Sequence, residues 1–197
     1  MLVHMGEIYN DLGQQQQAQK HYEQALDVGN QVGNGWVENA ALNRLGGIFQ
    51  HAGQRQQARE YYERALQVVQ EIKDSWGEGR IFHSLGKLVY EQGQQQDALI
   101  YLSKAFSSNK KIGNYLEVVS TLYDVSAIYL DQHSYDRALA VLLMIQNDYG
   151  KIQSPKQKDI NALQDLLRAN IGEKAYPDLL AQVEPNYTEL VKQALNN

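Results

Sequence analysis

The chain has 197 residues, a formal net charge of −5 and no cysteine. This acidic balance argues against nucleic acid or an anionic membrane as the main partner, and the lack of cysteine excludes disulfides and thiolate metal sites. No stretch approaches the ~18 consecutive apolar residues of a membrane helix, and the N-terminal sequence lacks the basic and apolar regions of a signal peptide. These features predict a cytoplasmic protein with neither a nucleic-acid nor a membrane partner.

A repeat with a period of 40 residues dominates the sequence. Small residues recur at this interval without gaps, which is typical of units that bury their apolar faces by stacking on one another. The recurring positions are Gly6, Gly46 and Gly86; Gly13, Gly53 and Gly93; Ala18, Ala58, Ala98 and Ala138; and Ala25, Ala65 and Ala105.

The first repeat is incomplete, and the last repeat is followed by a segment that no longer fits the pattern. The boundaries predicted are a partial repeat over 1–33, full repeats over 34–73, 74–113 and 114–149, and a C-terminal helical cap over 150–197. The missing front of the first repeat favours a fragment of a longer protein over a chain that begins with a short helix. It also predicts self-association through this open N-terminal end, because an unfinished stack exposes an apolar face.

Each repeat has the pattern of two antiparallel helices. A glycine inside a helix costs about 1 kcal/mol relative to alanine, so Gly46 predicts the close approach of another helix. Ala58 and Ala65, seven residues apart on one face of the following helix, are the expected partner surface. Gly53 suits the left-handed position that ends the first helix.

The junctions between repeats carry stop and start signals. Gly33-Asn34 ends one helix and begins the next. Asp74 and Ser75 are both N-cap candidates for the following helix, and Ser75 with Glu78 has the spacing of a capping box. Trp36 and Trp76 recur just inside the helices that follow. This pair could form a ligand platform or pack between repeats, and packing is favoured because large aromatic side chains dominate core burial.

Repeat four differs in its second helix, where Leu139, Leu143 and Met144 occupy positions that are charged in repeat two. An apolar surface of this kind must be covered. The segment 150–197 is predicted to cover it, with a helix starting near Ser154-Pro155 and two shorter helices starting at Pro177 and Pro185.

The order of residues in repeat two resembles the tetratricopeptide repeat (TPR): Leu45-Gly46, Phe49, Gly53, Ala58, Tyr62 and Ala65. The 40-residue length is similar to the extended subtype of kinesin light chains and bacterial signalling sensor regions. The resemblance implies an all-α, right-handed superhelical solenoid of antiparallel helix hairpins. It also implies that ligands bind the inner face of the first helix of each repeat.

No pattern of catalytic residues is present. The five histidines fall at unrelated repeat positions, and the sequence has no metalloprotease, phosphate-loop or nucleophile-elbow motif. The chain is therefore not predicted to be an enzyme or to bind a cofactor or metal.

Transferring the inner-face positions of the family by alignment gives a candidate peptide-binding groove. The chain is thus predicted to be a non-catalytic protein-interaction module or scaffold that binds a peptide or helix of a partner protein. The alternative is a ligand-sensing regulatory region of a larger multidomain signalling protein. The predicted groove residues are Asn43, Gln50, His51, Arg80, His83, Lys87, Tyr90, Glu91 and Tyr123.

Overall fold

In a computed structural model of the chain, the described residues 1–196 contain eleven α-helices and one short 3-10 helix, and they include no β-strand. This confirms the predicted all-α fold. The residues group into two compact units, Met1–Gln92 and Gly93–Asn197. None of the described helices combines the length and apolar character needed to cross a membrane.

The first unit consists of five helices that pack in sequence order. They are α1 (Leu2–Asp11), α2 (Gln15–Val32), α3 (Gly35–His51), α4 (Arg55–Glu71) and α5 (Ser75–Glu91). Each helix contacts the next one in the chain, and α3 also contacts α1 and α5. Such short connections between long packed helices are those of αα-hairpins.

The turns of the first unit end with a residue in the left-handed conformation, as predicted at Gly53, whose φ is 74°. There the Gly53 N–H donates to the Gln50 carbonyl at 3.0 Å, and the Gln54 N–H donates to the Phe49 carbonyl at 2.9 Å. These two bonds form a Schellman motif, which satisfies carbonyls that the end of a helix leaves unpaired. Lys73, with a φ of 55°, takes the same conformation after α4.

Helices α3 and α5 are each capped by the side chain of the residue that precedes them. The Asn34 side chain accepts from the Val37 N–H at 3.2 Å, and the Asp74 carboxylate accepts from the Trp76 N–H at 3.1 Å. The predicted capping box at Ser75 is therefore wrong. Asp74 already holds the cap, and Ser75 is the first residue of α5.

The residue that lies against Gly46 is Tyr62 rather than Ala58 or Ala65, which corrects the sequence-based expectation. A Cβ atom built on Gly46 would lie 2.5 Å from the Tyr62 Cε1 atom, and one on Gly6 would lie 2.4 Å from the same atom of Tyr22. The glycine therefore makes room for a buried aromatic ring from the second helix of its own hairpin.

The second unit consists of six helices and the 3-10 helix at Glu184–Asn186. The α-helices are α6 (Gln95–Lys111), α7 (Tyr115–Asp131), α8 (Tyr135–Tyr149), α9 (Gln157–Ile171), α10 (Tyr176–Val183) and α11 (Tyr187–Asn196). Between α7 and α8, His133 has a φ of 56° and adopts the left-handed conformation that glycine supplies in other repeats.

The apolar face of α8 is covered by the helices that follow it. Leu139, Leu143 and Met144 are buried, and α9, α10 and α11 all contact α8. The Tyr129 hydroxyl also donates to the Ala194 carbonyl at 2.8 Å, which fixes α11 to α7.

The starts of the C-terminal helices differ in detail from those predicted. Helix α9 begins at Gln157 after a turn in which the Ser154 hydroxyl accepts from the Lys156 N–H at 3.2 Å. Pro185 lies in the 3-10 helix and not in a helix of its own. Helix α9 ends 40 residues after α7, so the repeat spacing continues into a segment whose sequence no longer shows the pattern.

Candidate functional site

Seven residues of the first unit form one partly exposed surface, which we call the α3–α5 face. On α5, intervals of three and four residues place its members on one side of the helix, away from the buried Ile81, Leu85 and Leu88. The same intervals apply on α3, whose side towards the core carries Leu42 and Leu45. The α3–α5 face comprises Asn43, Gly47 and Gln50 of α3 with Arg80, His83, Lys87 and Tyr90 of α5.

A direct contact joins the two helices in the middle of this face. The Ser84 hydroxyl donates to the Asn43 Oδ1 atom at 3.4 Å. An amide side chain carries both donors and an acceptor, so Asn43 can also hydrogen-bond the backbone of a peptide laid across the face.

Gln50 is held in place by two neighbours. Its amide nitrogen donates to the Glu91 carboxylate at 2.7 Å, and its amide oxygen accepts from the Tyr62 hydroxyl at 2.9 Å. Burial, which is the largest effect, raises the pKa of Tyr62 to about 12, so this hydroxyl remains a donor at neutral pH. The network fixes Gln50 and Glu91 together at the C-terminal end of the face.

The charges on the face are not uniform. Arg80, His83 and Lys87 follow one another along α5, whereas the acidic Glu91 stands in its last turn with the exposed His51 at the end of α3. The cationic part of the face therefore lies in the middle of α5. An anionic ligand is attracted there rather than towards Glu91.

A separate ion pair links the first helix to the third. Arg44 Nη2 donates to a Glu7 carboxylate oxygen, and His4 Nδ1 lies 3.0 Å from the other oxygen. Desolvation is the largest single effect and opposes ionisation, but the hydrogen bonds and charges of His4 and Arg44 together lower the pKa of Glu7. Glu7 is thus a partner of Arg44 in the fold.

The two tryptophans are exposed, and the packing role predicted for them is wrong. Trp36 is 60% exposed and Trp76 is 49% exposed. Each is the second residue of its helix. The signal that could have placed them correctly was their spacing of seven residues from Asn43 and His83, which puts them on the same side of the helix.

Tyr123 belongs to the second unit. It is half-buried, and the Lys156 ammonium lies 4.4 Å from its ring centroid while pairing with Asp124 at 3.2 Å. Burial first, and then Asp159 and Asp124, raise the pKa of Tyr123. The Lys156 side chain covers part of the surface that the sequence assigned to a groove.

A cleft of about 370 Å³ between α8 and α9 escaped the sequence analysis. Its apolar wall includes Val119, Ile145 and Ile160, and its rim carries amide side chains such as Gln146 and Asn161. No motif marks it, because it forms where α9 packs incompletely on α8. Across residues 1–196, no group of three or more His, Asp or Glu side chains is placed to hold a metal ion.

Solved structures similar to this one are helical repeat proteins. A Rap protein complexed with competence and sporulation factor aligns with a TM-score of 0.67 and 14% identity, over 99% of this chain and 64% of that chain. A Podosopora anserina protein described as a kinesin light chain, with nearly identical TPR-like repeats, aligns with a TM-score of 0.66 and 19% identity, over 98% and 91% of the two chains. At these identities the likeness shows the fold alone.

Sequence comparison gives the family. No curated protein matches the chain, but two models, both described as tetratricopeptide repeat, match residues 1–28 and 37–111. The matched ranges cover the repeats built around Gly6, Gly46 and Gly86, and together they span more than half of the sequence. The chain therefore belongs to the tetratricopeptide repeat family.

Proposed function

We propose that the chain is a non-catalytic protein-interaction module whose α3–α5 face binds an acidic peptide segment of a partner protein. The observation that carries this proposal is the row of Arg80, His83 and Lys87 along α5, with Asn43 beside it on α3. Arg80 and Lys87 present positive charge to one surface, and the Asn43 amide can hold a peptide backbone without demanding one sequence.

The surroundings of the row support the same conclusion. Glu7 is paired with Arg44, and Glu91 is hydrogen-bonded to Gln50, so these two carboxylates of the first unit have partners in the fold. A protein module of this kind recognises a segment by many weak contacts. We expect a dissociation constant of order micromolar, equivalent to about −8 kcal/mol.

The test is capture of partners by the native chain and by a variant with Arg80→Glu and Lys87→Glu. The matched control carries Lys20→Glu and Arg64→Glu, which change the net charge equally on the exposed sides of α2 and α4. Circular dichroism checks that all three chains are folded. Loss of the same partners from the first variant only is the expected result, and equal capture by all three would refute the proposal.

The dependence of affinity on salt concentration is an independent test for any partner that is captured. Exposed charges are screened with a Debye length of about 8 Å at physiological ionic strength, so binding should weaken as salt is raised. Affinity should fall less steeply with salt concentration for the Arg80→Glu and Lys87→Glu variant than for the native chain. A salt-independent affinity would assign binding to an apolar surface instead.

The regulatory alternative rests on a narrower observation. The Rap protein in the similar structure is complexed with competence and sporulation factor, and this chain spans 64% of that protein's length. We keep a ligand-sensing role as the second candidate. A cytoplasmic location and self-association through α1 likewise remain predictions.

A further inference from the structure

The two exposed tryptophans are the only tryptophans in the sequence. An indole ring usually buries much of its surface, and it contributes strongly to interfaces when a partner covers it. Trp36 and Trp76 occupy the same position in successive repeats, as the second residues of α3 and α5. Two large aromatic side chains therefore stand in solvent at equivalent points of neighbouring helices.

Their helical phase places them beside the α3–α5 face. Counting from Trp76, intervals of four, three, four and three residues lead to Arg80, His83, Lys87 and Tyr90. The same intervals lead from Trp36 through Ala40 to Asn43, Gly47 and Gln50. Side chains at these intervals share one side of an α-helix. The tryptophans thus extend the face at the N-terminal ends of both helices.

Trp76 also joins apolar surface to positive charge. The Arg80 guanidinium carbon lies 4.6 Å from the Trp76 ring centroid, which is within the range of a cation–π contact. Because Trp76 keeps 49% of its surface exposed, the guanidinium covers only part of the ring. The remaining surface can take a second apolar group close to a cation.

We propose that Trp36 and Trp76 are docking positions for large apolar side chains of the same acidic peptide that binds Arg80, His83 and Lys87. This inference rests on the proposed function and names the class of ligand: a peptide with an aromatic or long aliphatic residue near its carboxylates. Carboxylates complement the cationic row, and apolar side chains complement the indoles. A second copy paired through the same face complements the row less well, because that face presents the same cations.

The geometry also limits the spacing within the ligand. Trp76 and Lys87 are eleven residues apart on α5, which is about 16 Å at 1.5 Å per residue. An extended peptide advances about 3.3 Å per residue, so it covers this distance in roughly five residues. The apolar residue should therefore lie within about five positions of the carboxylates.

The experiment uses the full chain and synthetic peptides that contain no tryptophan. One set is rich in aspartate and glutamate with a single phenylalanine at a varied position, and the matched set has serine in place of phenylalanine. Since the protein holds the only tryptophans, its intrinsic fluorescence reports contact with either indole. Affinities are measured by fluorescence anisotropy for the native chain and for Trp36→Ala, Trp76→Ala, Lys87→Glu and, as a control on the exposed side of α2, Val28→Ala.

We expect phenylalanine peptides to shift the tryptophan emission and to bind roughly tenfold more weakly to Trp76→Ala or Trp36→Ala. Serine peptides should bind these variants as they bind the native chain, and Val28→Ala should have no effect. Lys87→Glu should weaken both sets.

The outcomes separate this inference from the proposed function. If Lys87→Glu weakens both peptide sets but the tryptophan variants do not distinguish them, the docking role is wrong and the proposed function stands. If no acidic peptide binds, both are wrong. Sedimentation of the tryptophan variants completes the test: a change in self-association without a change in peptide affinity would assign the indoles to contacts between copies and overturn the inference.

Discussion

The contact between Gly46 and the ring of Tyr62 sets the distance between the two helices of its hairpin. A methyl group on Gly46 would lie 2.5 Å from the ring, whereas the nearest atom to a methyl group on Gly47 is the Tyr62 hydroxyl oxygen at 3.8 Å. The first distance requires the ring to move, and the second is an ordinary contact. Adjacent glycines in one helix therefore differ in what they tolerate.

We expect Gly46→Ala to destabilise the protein by about 1–3 kcal/mol through overpacking, although alanine is the better helix former. Gly47→Ala should leave stability unchanged or raise it by up to about 1 kcal/mol. Urea unfolding of both variants measures the difference. Combining Gly46→Ala with Tyr62→Leu should recover part of the loss, since repeat four pairs Ser126 with Leu142 at these positions. Equal midpoints for the two single variants would contradict this account.

The raised pKa of Tyr62 predicts that the free energy of unfolding falls at alkaline pH. Burial, as the largest effect, raises the pKa of Tyr62 from 10.0 to about 12 in the folded state. The unfolded chain therefore releases this proton at lower pH, and the stabilisation present below pH ~10 is lost progressively between pH ~10 and ~12. At about 1.4 kcal/mol per pKa unit, the loss is roughly 3 kcal/mol.

The measurement is the free energy of unfolding from pH 8 to 12 for the native chain and for Tyr62→Phe. The variant should be less stable at pH 8, because it loses the hydrogen bond to Gln50, but its stability should fall less steeply above pH 10. Tyr61→Phe, at the neighbouring half-buried ring, is the control. Parallel pH profiles for Tyr62→Phe and the native chain would exclude this role for Tyr62.

The sequence predicted local backbone features better than contacts. The left-handed conformation of Gly53 follows from properties of glycine that do not depend on the rest of the fold. The partner of Gly46 depends on which side chain of the next helix reaches it, and a repeat pattern does not specify that. The exposure of Trp36 was missed because recurrence alone fits a buried and an exposed position; only the seven-residue spacing from Asn43 indicates the side of the helix on which Trp36 lies.

At the scale of elements, helix α11 covers much of the apolar face of α8. Val191, Ala194 and Leu195 are buried, and the helix contacts both α6 and α8. The sequence predicted this cover from the apolar residues of α8 and from the helix-start signals at Ser154-Pro155, Pro177 and Pro185. It did not predict the cleft beside α9, because that cavity arises from imperfect packing and leaves no signal in residue type.

A charge at position 191 should detach this cover. Val191→Asp places a carboxylate in an apolar contact, and we expect destabilisation of about 3 kcal/mol or more. Gln193→Asp, two residues away and exposed, is the matched control and should change stability by less than about 0.5 kcal/mol. Thermal unfolding with a dye that binds exposed apolar surface measures both effects. A Val191→Asp protein with the native melting temperature and no added dye binding would refute the covering role.

Deletion of residues 154–197 is the stronger version of this test. It should return Leu139, Leu143 and Met144 to water, at about 1.5–3 kcal/mol for each large apolar side chain. We expect lower stability or self-association of the shortened chain in sedimentation experiments. A monomer with an unchanged melting temperature would show that α8 does not need the cover.

At the scale of the whole molecule, α1 carries an apolar stripe that stays partly exposed among the described residues of the first unit. Met1, Met5, Ile8 and Leu12 lie at intervals of four, three and four residues along α1, and Ile8 and Leu12 are 53% and 64% exposed. Their counterparts on α3 are Ala41, Leu45 and Ile48, which are buried, and α3 packs on α2. The stripe on α1 thus corresponds to positions that are buried against a neighbouring helix in the next repeat.

We predict that two copies of the chain associate through this stripe at high concentration, because pairing the same patch on both copies buries it at once. Ile8→Glu should keep the protein monomeric, since it places like charges opposite each other at the contact. Asn10→Glu adds the same charge on another exposed side of α1 and should leave association unchanged. Sedimentation velocity from micromolar to millimolar concentration distinguishes these cases, while peptide affinity at micromolar concentration should be the same for all three chains. If the native chain stays monomeric over the whole range, or if both substitutions reduce association equally, the stripe on α1 is not the contact between copies.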